Sequence, residues 1–266
     1  MTGSAPIFDE VDAYERFMGR WSRAAAAQFL RWLRPPPQAR WLDVGCGTGI
    51  LSRIALGISA PAAVVGIDPT PAQVAHAAHH VADARARFEV ADARALPFPD
   101  RSFDVAASAL VLNFIPEPDQ AVLEMARVVR RGGIVAAYVW DFELELSPSG
   151  PLRKALAMMG FDVPPLPGSE GSNLQALAAL FGQAGLAGIA TTAIEVLVAF
   201  ADFQDFWDSQ TTRYSPTTKI VAALGRTDRQ TLVEILRTLV SVRDDGVVEY
   251  AARANAVKAH ATTTRV

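Results

Sequence analysis

Cysteine and histidine are scarce in this sequence. Of its 266 residues, Cys46 is the single cysteine, and histidine occurs four times. One cysteine cannot form an internal disulfide bond, which is typical of a protein kept in a reducing compartment, so we expect a cytoplasmic protein. Cys46 also lies between two glycines, where a small side chain is needed, and we do not expect it to act as a nucleophile.

Long apolar runs and an excess of positive charge are missing as well. No uninterrupted apolar stretch reaches the roughly 18 residues that a membrane span needs. Acidic residues appear by position 10, where a signal peptide would be basic and then apolar. The formal net charge is −3, whereas nucleic-acid binding needs a concentrated cationic surface. We therefore expect neither a membrane span nor a nucleic-acid partner.

Arg127, Arg130 and Arg131 form the one dense basic cluster of the chain. They come directly before Gly132, where a helix would end, so stabilisation of the negative end of the helix dipole explains them. An anion-binding site is the alternative interpretation.

Glycines at alternate positions follow a short apolar run that begins at Trp41. Gly45, Gly47 and Gly49 lack a Cβ atom, so the chain can turn tightly and a flat ligand can lie against bare peptide groups. The pattern predicts a strand that leads into a ligand-binding turn, in which a side chain at Gly45 or Gly47 would occupy the place of the ligand. Isolated glycines would indicate only positive φ angles, but the acidic residues that follow favour the ligand-binding interpretation.

Two aspartates follow the next two strand-like runs. Asp68 ends a β-branched run about twenty residues after the turn, the spacing at which a carboxylate binds both ribose hydroxyls of a nucleotide. Asp92 follows the run 86–91, and its carboxylate can accept a hydrogen bond from the amino group of adenine. Because the carboxyl ends of adjacent parallel strands meet in one crevice, we expect the turn and both acids to lie together. A solvated turn is the alternative for either acid alone.

Strand-like and helix-like segments alternate along the first half of the chain. The pattern predicts an amphipathic helix over 11–33 and another helix over 117–131. The predicted strands are 40–45, 62–67, 86–91, 103–109 and 133–141. This alternation indicates a doubly wound α/β fold, in which a parallel sheet with right-handed crossovers carries helices on both faces.

Six segments carry a more specific pattern: 42–49, 66–69, 91–93, 96–100, 102–105 and 124–133. They resemble class I S-adenosylmethionine-dependent methyltransferases of the type 11 group and are similar to the quinone-biosynthesis methyltransferases. The resemblance runs roughly from Asp12 to Trp140. It implies a Rossmann-like sheet of seven strands, mostly parallel with the last strand antiparallel, a helical lid, and S-adenosyl-L-methionine as cofactor. The motifs are specific for the cofactor and say little about the methyl acceptor.

The rest of the chain is interpreted through this resemblance. Two β-like runs, 189–200 and 247–257, would add strands six and seven. Residues 142–171 and 202–240 would form the lid, and the aromatic residues Phe203, Phe206, Trp207 and Tyr214 would either contact the acceptor or pack as a helical cap. The other regions are an N-terminal capping helix region at 1–38, a cofactor-binding core at 39–141, parts that complete the sheet at 172–201 and 241–259, and a disordered tail at 260–266.

The resemblance also implies which residues contact the cofactor. Tyr14 and Arg20 would reach the methionyl carboxylate from the N-terminal helix, and Asp43 suits a zwitterionic amino-acid group. The full set is Tyr14, Arg20, Asp43, Gly45, Cys46, Gly47, Asp68, Pro69, Asp92, Ala93 and Ser108.

Candidate residues for catalysis come from the ends of the fourth and fifth strands. Ser108, Asn113, Trp140 and Asp141 are expected to face the acceptor. Related enzymes often carry histidine near position 113, whereas Asn113 can hydrogen-bond but cannot act as an ordinary base. Asp141 is the best available proton acceptor, and a strand-end cap is the alternative. Asn113 and Asp141 are therefore the catalytic candidates.

Three histidines, His76, His79 and His80, crowd the helix after the second strand. They lie remote from the expected crevice and lack accompanying cysteine or carboxylate ligands, so we predict no metal site.

The sequence thus predicts methyl transfer from S-adenosyl-L-methionine to a small, apolar molecule. The transfer is an in-line displacement that needs an oriented nucleophile and little else from the protein. One alternative is a protein that binds the cofactor or a nucleoside without transferring a methyl group. Another is a nicotinamide-dependent oxidoreductase, whose fingerprint would require glycine at Ile50. The sequence leaves the oligomeric state open, with a homodimer among the options.

Overall fold

The computed structural model describes residues 11–211 and 217–262, and within 11–17 it describes the backbone alone. Tyr214 therefore lies outside the described residues, and so does the side chain of Tyr14.

In the described residues, eight strands form one sheet in the order β3-β2-β1-β4-β5-β8-β6, and β7 pairs with β8 beside this path. Strands β1 to β5 are parallel, whereas β8 is antiparallel to both β5 and β6. The predicted Rossmann-like sheet with an antiparallel last strand is confirmed, and the short β7 raises the number of strands from seven to eight. The bounds are β1 Arg40–Val44, β2 Ala63–Asp68, β3 Ala86–Val90, β4 Phe103–Ala109, β5 Val129–Trp140, β6 Ala187–Phe200, β7 Ser241–Val242 and β8 Val248–His260.

Helices cover both faces of the sheet. They are α1 Val11–Leu33, α2 Ile50–Ile58, α3 Pro71–His80, α4 Pro118–Val128, α5 Gly150–Met158, α6 Leu174–Gln183, α7 Phe203–Gln210, α8 Thr218–Ala223 and α9 Arg226–Leu239. Short 3-10 helices occupy Leu112–Phe114 and Ser169–Gly171. Among the described residues, no helix combines the length and the apolar character that a bilayer crossing requires.

Alternation along β5 shows how the sheet separates two cores. Ala136, Tyr138 and Trp140 pack on the face that carries α1. Val135 and Val139 pack on the opposite face, which carries α4 and α6. Since successive side chains of a strand point to opposite faces, a strand covered on both sides reads as one continuous apolar run.

The boundary between α4 and β5 differs from the prediction. The helix ends at Val128 rather than at 131, and Val129 already pairs with Phe103 of β4. Two consecutive β-branched residues favour strand over helix at this point. Arg130 therefore lies in β5, where it forms an ion pair with Asp104.

The sheet also continues further than predicted at its end. β8 extends to His260, which pairs with Ile134 of β5 and Ala187 of β6. The predicted disordered tail from His260 onward was therefore wrong at its first residue, because two neighbouring strands satisfy the backbone there.

Candidate functional site

The order of the strands creates a crevice between β1 and β4. From β1 the chain builds β2 and β3 to one side, and then it returns to build β4 and β5 to the other. Such a switch point is where open α/β sheets bind ligands, at the carboxyl ends of the strands. A cavity of about 420 Å³ lies there. Its wall includes seven of the residues expected to contact the cofactor: Gly45, Cys46, Gly47, Asp68, Pro69, Asp92 and Ala93.

The glycine turn after β1 is fixed by hydrogen bonds to β2. The N–H groups of Gly45 and Cys46 both donate to the carbonyl oxygen of Ile67 at 2.8 Å. Gly45 has φ +73° and Gly47 has φ +50°. A Cβ atom at Gly45 would come within 2.5 Å of the Val111 side chain, whereas a Cβ at Gly47 would meet no heavy atom within 4 Å. Glycine at position 45 is thus required by close packing on Val111, and Gly47 leaves open space beside the cavity.

Asp68 ends β2 and is tied to the glycine turn. The N–H of Gly47 donates to its Oδ2 at 3.1 Å, and the N–H of Thr70 donates to its Oδ1 at 2.9 Å. Burial raises the pKa of this carboxyl above its usual value. The Thr70 side chain also forms a hydrogen bond with this carboxylate. Because a carboxylate has about four acceptor positions, capacity remains for a ligand hydroxyl.

Asp92 lies on the turn after β3 and pairs with Arg94. The guanidinium donates to Oδ1 through Nε at 3.1 Å and to Oδ2 through Nη2 at 2.7 Å. These hydrogen bonds lower the pKa of Asp92, so the carboxylate stays ionised. Both residues line the cavity.

Asp43 lies beneath the turn, outside the set of residues that line the cavity, and its exposed fraction is 1%. Its Oδ2 accepts hydrogen bonds from the backbone N–H of Ser52 at 3.1 Å and from the Ser52 hydroxyl at 2.6 Å. Its Oδ1 has no hydrogen-bond partner among the described residues. Burial raises the pKa of Asp43 to about 6. A buried carboxylate with one oxygen free is an environment that favours a cationic partner.

Of the residues expected to face the acceptor, only Trp140 lines the cavity. Ser108 is fully buried within β4. Asp141 is buried as well, and Arg253 donates to its Oδ2 through Nε at 2.9 Å and through Nη2 at 2.6 Å. Its Oδ1 accepts the N–H of Leu144 at 3.1 Å. Both oxygens of Asp141 are thus engaged, which matches the strand-end cap better than a proton acceptor.

Asn113 contacts the predicted lid rather than the cavity. Its Nδ2 donates to the carbonyl oxygen of Pro167 at 3.3 Å. Gly168 approaches so closely that a Cβ there would lie 1.9 Å from the carbonyl oxygen of Asn113. The adjacent Leu166 and Pro167 line the cavity, so Asn113 anchors a segment that forms part of the wall.

The second predicted lid region, 202–240, contributes no described residue to the cavity wall. Phe206 is fully buried and packs edge-on against Phe200. Phe203 and Trp207 lie beneath the guanidinium groups of Arg237 and Arg229. These contacts match the helical cap, which was the alternative interpretation of the aromatic residues.

Arg20 does not reach the cavity either. It forms a two-pronged ion pair with Asp205 of α7, with both N···O distances at 2.9 Å. Two other residues of α1, Met18 and Ser22, line the cavity instead. Sequence reasoning missed them because apolar spacing along a helix does not distinguish a cavity wall from a packed core.

Sequence reasoning also missed other residues of the cavity wall. Arg94 could have been found from its charge two positions after Asp92. The apolar ones carry no signal of their own: Leu110, Val111, Phe114, Ile115, Tyr138, Phe142 and Leu166.

The three histidines of α3 do not gather into a metal site. The rings of His76 and His80 stack with centroids 3.8 Å apart, and Nδ1 of His80 lies 2.9 Å from the carbonyl oxygen of His76. In the described part of the chain, no group of three or more metal-ligating side chains comes together.

Comparison with known proteins identifies relatives of the part that builds this cavity. Residues 42–137 match the family model described as "Methyltransferase domain", of type 11. A phosphatidylethanolamine N-methyltransferase of Cereibacter sphaeroides is 37% identical over 122 residues, 44% of this chain and 58% of that protein. A 2-methyl-6-phytyl-1,4-hydroquinone methyltransferase of Synechocystis is 42% identical over 107 residues, 40% of this chain and 33% of that protein. The chain therefore spans less than two thirds of the length of these relatives.

A solved structure shares the fold over nearly the whole chain. Phosphoethanolamine N-methyltransferase 2 of Haemonchus contortus, in complex with S-adenosyl-L-methionine, gives a TM-score of 0.60 at 19% identity and covers 98% of this chain and 61% of that one. At this identity the likeness establishes the architecture alone.

Proposed function

We propose, from the premise that residues 42–137 are a methyltransferase domain of the type 11 family, that this chain transfers a methyl group from S-adenosyl-L-methionine to a small, apolar molecule. The observation that carries the proposal is the hydrogen bond from Gly47 to Asp68. It joins the bare turn and the acid at the end of β2 into one wall of the cavity, against which a ribose can lie.

Two acids on the cavity wall and a third beneath it fit the cofactor. Asp68 has acceptor capacity left for a ribose hydroxyl, and Asp92 is ionised beside the position expected for adenine. Asp43 supplies a buried carboxylate oxygen with no partner in the described residues, which suits the ammonium group of the methionyl moiety. When bound, S-adenosyl-L-methionine supplies an electrophilic methyl group.

The walls away from these acids support an uncharged acceptor. They are formed by aromatic and aliphatic side chains, among them Phe114, Tyr138, Trp140 and Phe142. None of the described residues on these walls carries a charge, so a phosphate ester would lose its water shell without gaining a partner. Such walls bind an apolar molecule, orient it and exclude water, which is the main requirement of an in-line displacement.

Binding without methyl transfer is the competing function. Asp141 is engaged by Arg253 and lies outside the cavity wall, and the two carboxylates on that wall, Asp68 and Asp92, are assigned to the cofactor, so catalysis would rest on orientation. The nicotinamide alternative is not favoured, because the matched family transfers methyl groups and Ile50 replaces the glycine that a dinucleotide fold needs.

Incubation with cofactor labelled at the transferred methyl group tests the proposal. The protein is mixed with a cell extract, and label is sought in an organic extract and in precipitated macromolecules. We expect label in the organic extract, and we expect it to fall strongly with the Asp68→Ala variant. Asp83→Ala, an acid outside the cavity wall, serves as the matched control. Label that stays in intact cofactor would favour binding alone, and label in macromolecules would contradict a small acceptor.

A further inference from the structure

The turn after β3 holds a carboxylate in a fixed position at the cavity. Asp92 is not packed by neighbours, since its side chain is 46% exposed and β3 is an edge strand. Hydrogen bonds from Arg94, rather than packing, hold the side chain of Asp92 in place. Its backbone N–H donates to Oδ1 of Asp92 at 2.9 Å, and the guanidinium donates to both oxygens. A carboxylate held by a planar fork is fixed in orientation as well as in position.

Arg94 is itself held from α4. Its Nη1 donates to Oε2 of Glu117 at 3.1 Å, and Gln120 donates from Nε2 to the carbonyl oxygen of Arg94 at 3.4 Å. Glu117 is the residue that precedes α4. The guanidinium is therefore held on the side of α4, and the start of α4 is linked through Arg94 to the carboxylate.

We propose that Arg94 is a positioning residue, which orients Asp92 to accept a hydrogen bond from the exocyclic amino group of the purine and thereby selects adenine over 6-oxopurines. The proposal rests on the proposed function. A carboxylate has about four acceptor positions. Arg94 supplies three donors, N, Nε and Nη2, of which Nε is shared between Oδ1 at 3.1 Å and Oδ2 at 3.2 Å, so one position remains for the amino group. A 6-oxo group would place an acceptor against that acceptor and be repelled.

The chain contains a matched control for this arrangement. Asp83 and Arg85 form the same chelate at the other end of β3, with Nε–Oδ1 at 3.0 Å and Nη2–Oδ2 at 2.7 Å. Neither residue lines the cavity. The sequence Asp-x-Arg therefore forms the chelate for local reasons, and the pair at 92 and 94 differs by its place on the cavity wall and its link to Glu117.

Titration calorimetry with two ligands tests the role of Arg94. The ligands are S-adenosylhomocysteine and S-inosylhomocysteine, which differ at the purine 6-position, and the proteins are the unmodified chain, Arg94→Ala, Arg94→Lys and Arg85→Ala. We expect the unmodified chain to prefer the adenosyl ligand by about tenfold or more, the value for one hydrogen bond to a charged group. Arg94→Ala should lose most of this preference for the adenosyl ligand. Arg94→Lys should retain part of the preference because lysine keeps one charged donor.

The control variant Arg85→Ala and the ratio of the two ligand affinities distinguish a positioning role of Arg94 from a purely structural one. Exposed ion pairs contribute little to stability, so we expect all variants to keep the thermal midpoint, and Arg85→Ala to keep the full ratio. An unchanged ratio in Arg94→Ala, or a ratio near one in the unmodified chain, would overturn the inference. Should Arg94→Ala fail to fold, an unchanged ratio in Arg94→Lys would overturn it instead. If the unmodified chain binds neither ligand, the proposed function itself fails.

Discussion

At the scale of single residues, three carboxylates near the carboxyl ends of neighbouring strands have three different environments. Asp43 is buried with one oxygen free, Asp68 is held by two backbone N–H groups, and Asp92 is exposed and chelated by arginine. Burial raises the pKa of the first two, and the guanidinium lowers that of the third. The same residue type is thus suited to an ammonium, to a hydroxyl and to an aromatic amine in turn.

Replacing Asp68 tests its ribose role. Asp68→Ala removes the acceptor for the ribose, so we expect the binding free energy of S-adenosylhomocysteine to weaken by about 1 to 3 kcal/mol. Calorimetry measures the change, and Asp68→Asn should lie between Ala and the unmodified chain because it keeps one acceptor oxygen. Equal affinity for S-adenosylhomocysteine in all three proteins would show that Asp68 does not bind the ribose.

The buried Asp43 predicts a pH dependence of stability. The unfolded chain loses this proton near pH 4, whereas the folded protein keeps it to about pH 6. Folding therefore binds a proton between these values, and stability falls as the pH rises through this window. With 1.36 kcal/mol for each pKa unit, the free energy of unfolding should fall by about 3 kcal/mol relative to Asp43→Asn. Urea denaturation of both proteins from pH 4 to pH 7 measures this, and parallel curves would contradict it.

At the scale of elements, the segments that form the cavity wall are contacted by residues that do not line the cavity. Arg20 joins α1 to α7 through Asp205, and α1 in turn brings Met18 and Ser22 to the cavity. The predicted lid segment, residues 142–171, is anchored by Asn113 and by Ser172, whose hydroxyl accepts the N–H groups of Phe142 and Glu143 at 3.1 and 3.2 Å. Segments of the wall are thus contacted by residues that do not themselves line the cavity.

The ion pair between Arg20 and Asp205 is expected to matter little. Their side chains are 43% and 30% exposed, so Arg20→Ala should cost less than about 1 kcal/mol of stability. Since Arg20 lies away from the cavity, cofactor affinity should stay the same. Urea denaturation and calorimetry check both statements. A tenfold loss of affinity would instead support the contact with the methionyl carboxylate that the resemblance implied.

The close approach of Gly168 to Asn113 predicts a strong effect of a single methyl group. Gly168 has φ +70°, and an added Cβ would lie 1.9 Å from backbone oxygen. Gly168→Ala should therefore destabilise the protein by about 1 to 3 kcal/mol and make the predicted lid segment more sensitive to proteolysis. Gly171→Ala is the matched control, because its Cβ would meet nothing within 4 Å. Equal proteolysis of both variants would argue against an anchored lid segment.

At the scale of the whole molecule, local pattern predicted most of the sheet and the side of the cavity that carries Asp68 and Asp92. Asp68 and Asp92 were found because a strand, a turn and a fixed spacing are all local features of the sequence. The partners of Asp141 and Arg20 were not found, since Arg253 lies 112 residues and Asp205 lies 185 residues away. Such pairs depend on how β8 and α7 pack, and no local signal encodes that packing.

The apolar side of the cavity, which we propose to bind the acceptor, was hidden for a related physical reason. Its wall is apolar, and an apolar side chain that lines a cavity obeys the same periodicity as one that fills a core. Phe142 and Leu166 therefore looked like ordinary packing residues, although both line the cavity.

A crystal structure of the protein soaked with S-adenosyl-L-methionine tests the central claim most directly. We predict the ligand at the carboxyl ends of β1 to β3, with its ribose hydroxyls bonded to Asp68 and its adenine beside Asp92. One side of the ligand should contact the protein backbone at Gly47. A ligand bound elsewhere, or bound here with both acids turned away from the ribose and the base, would contradict that claim.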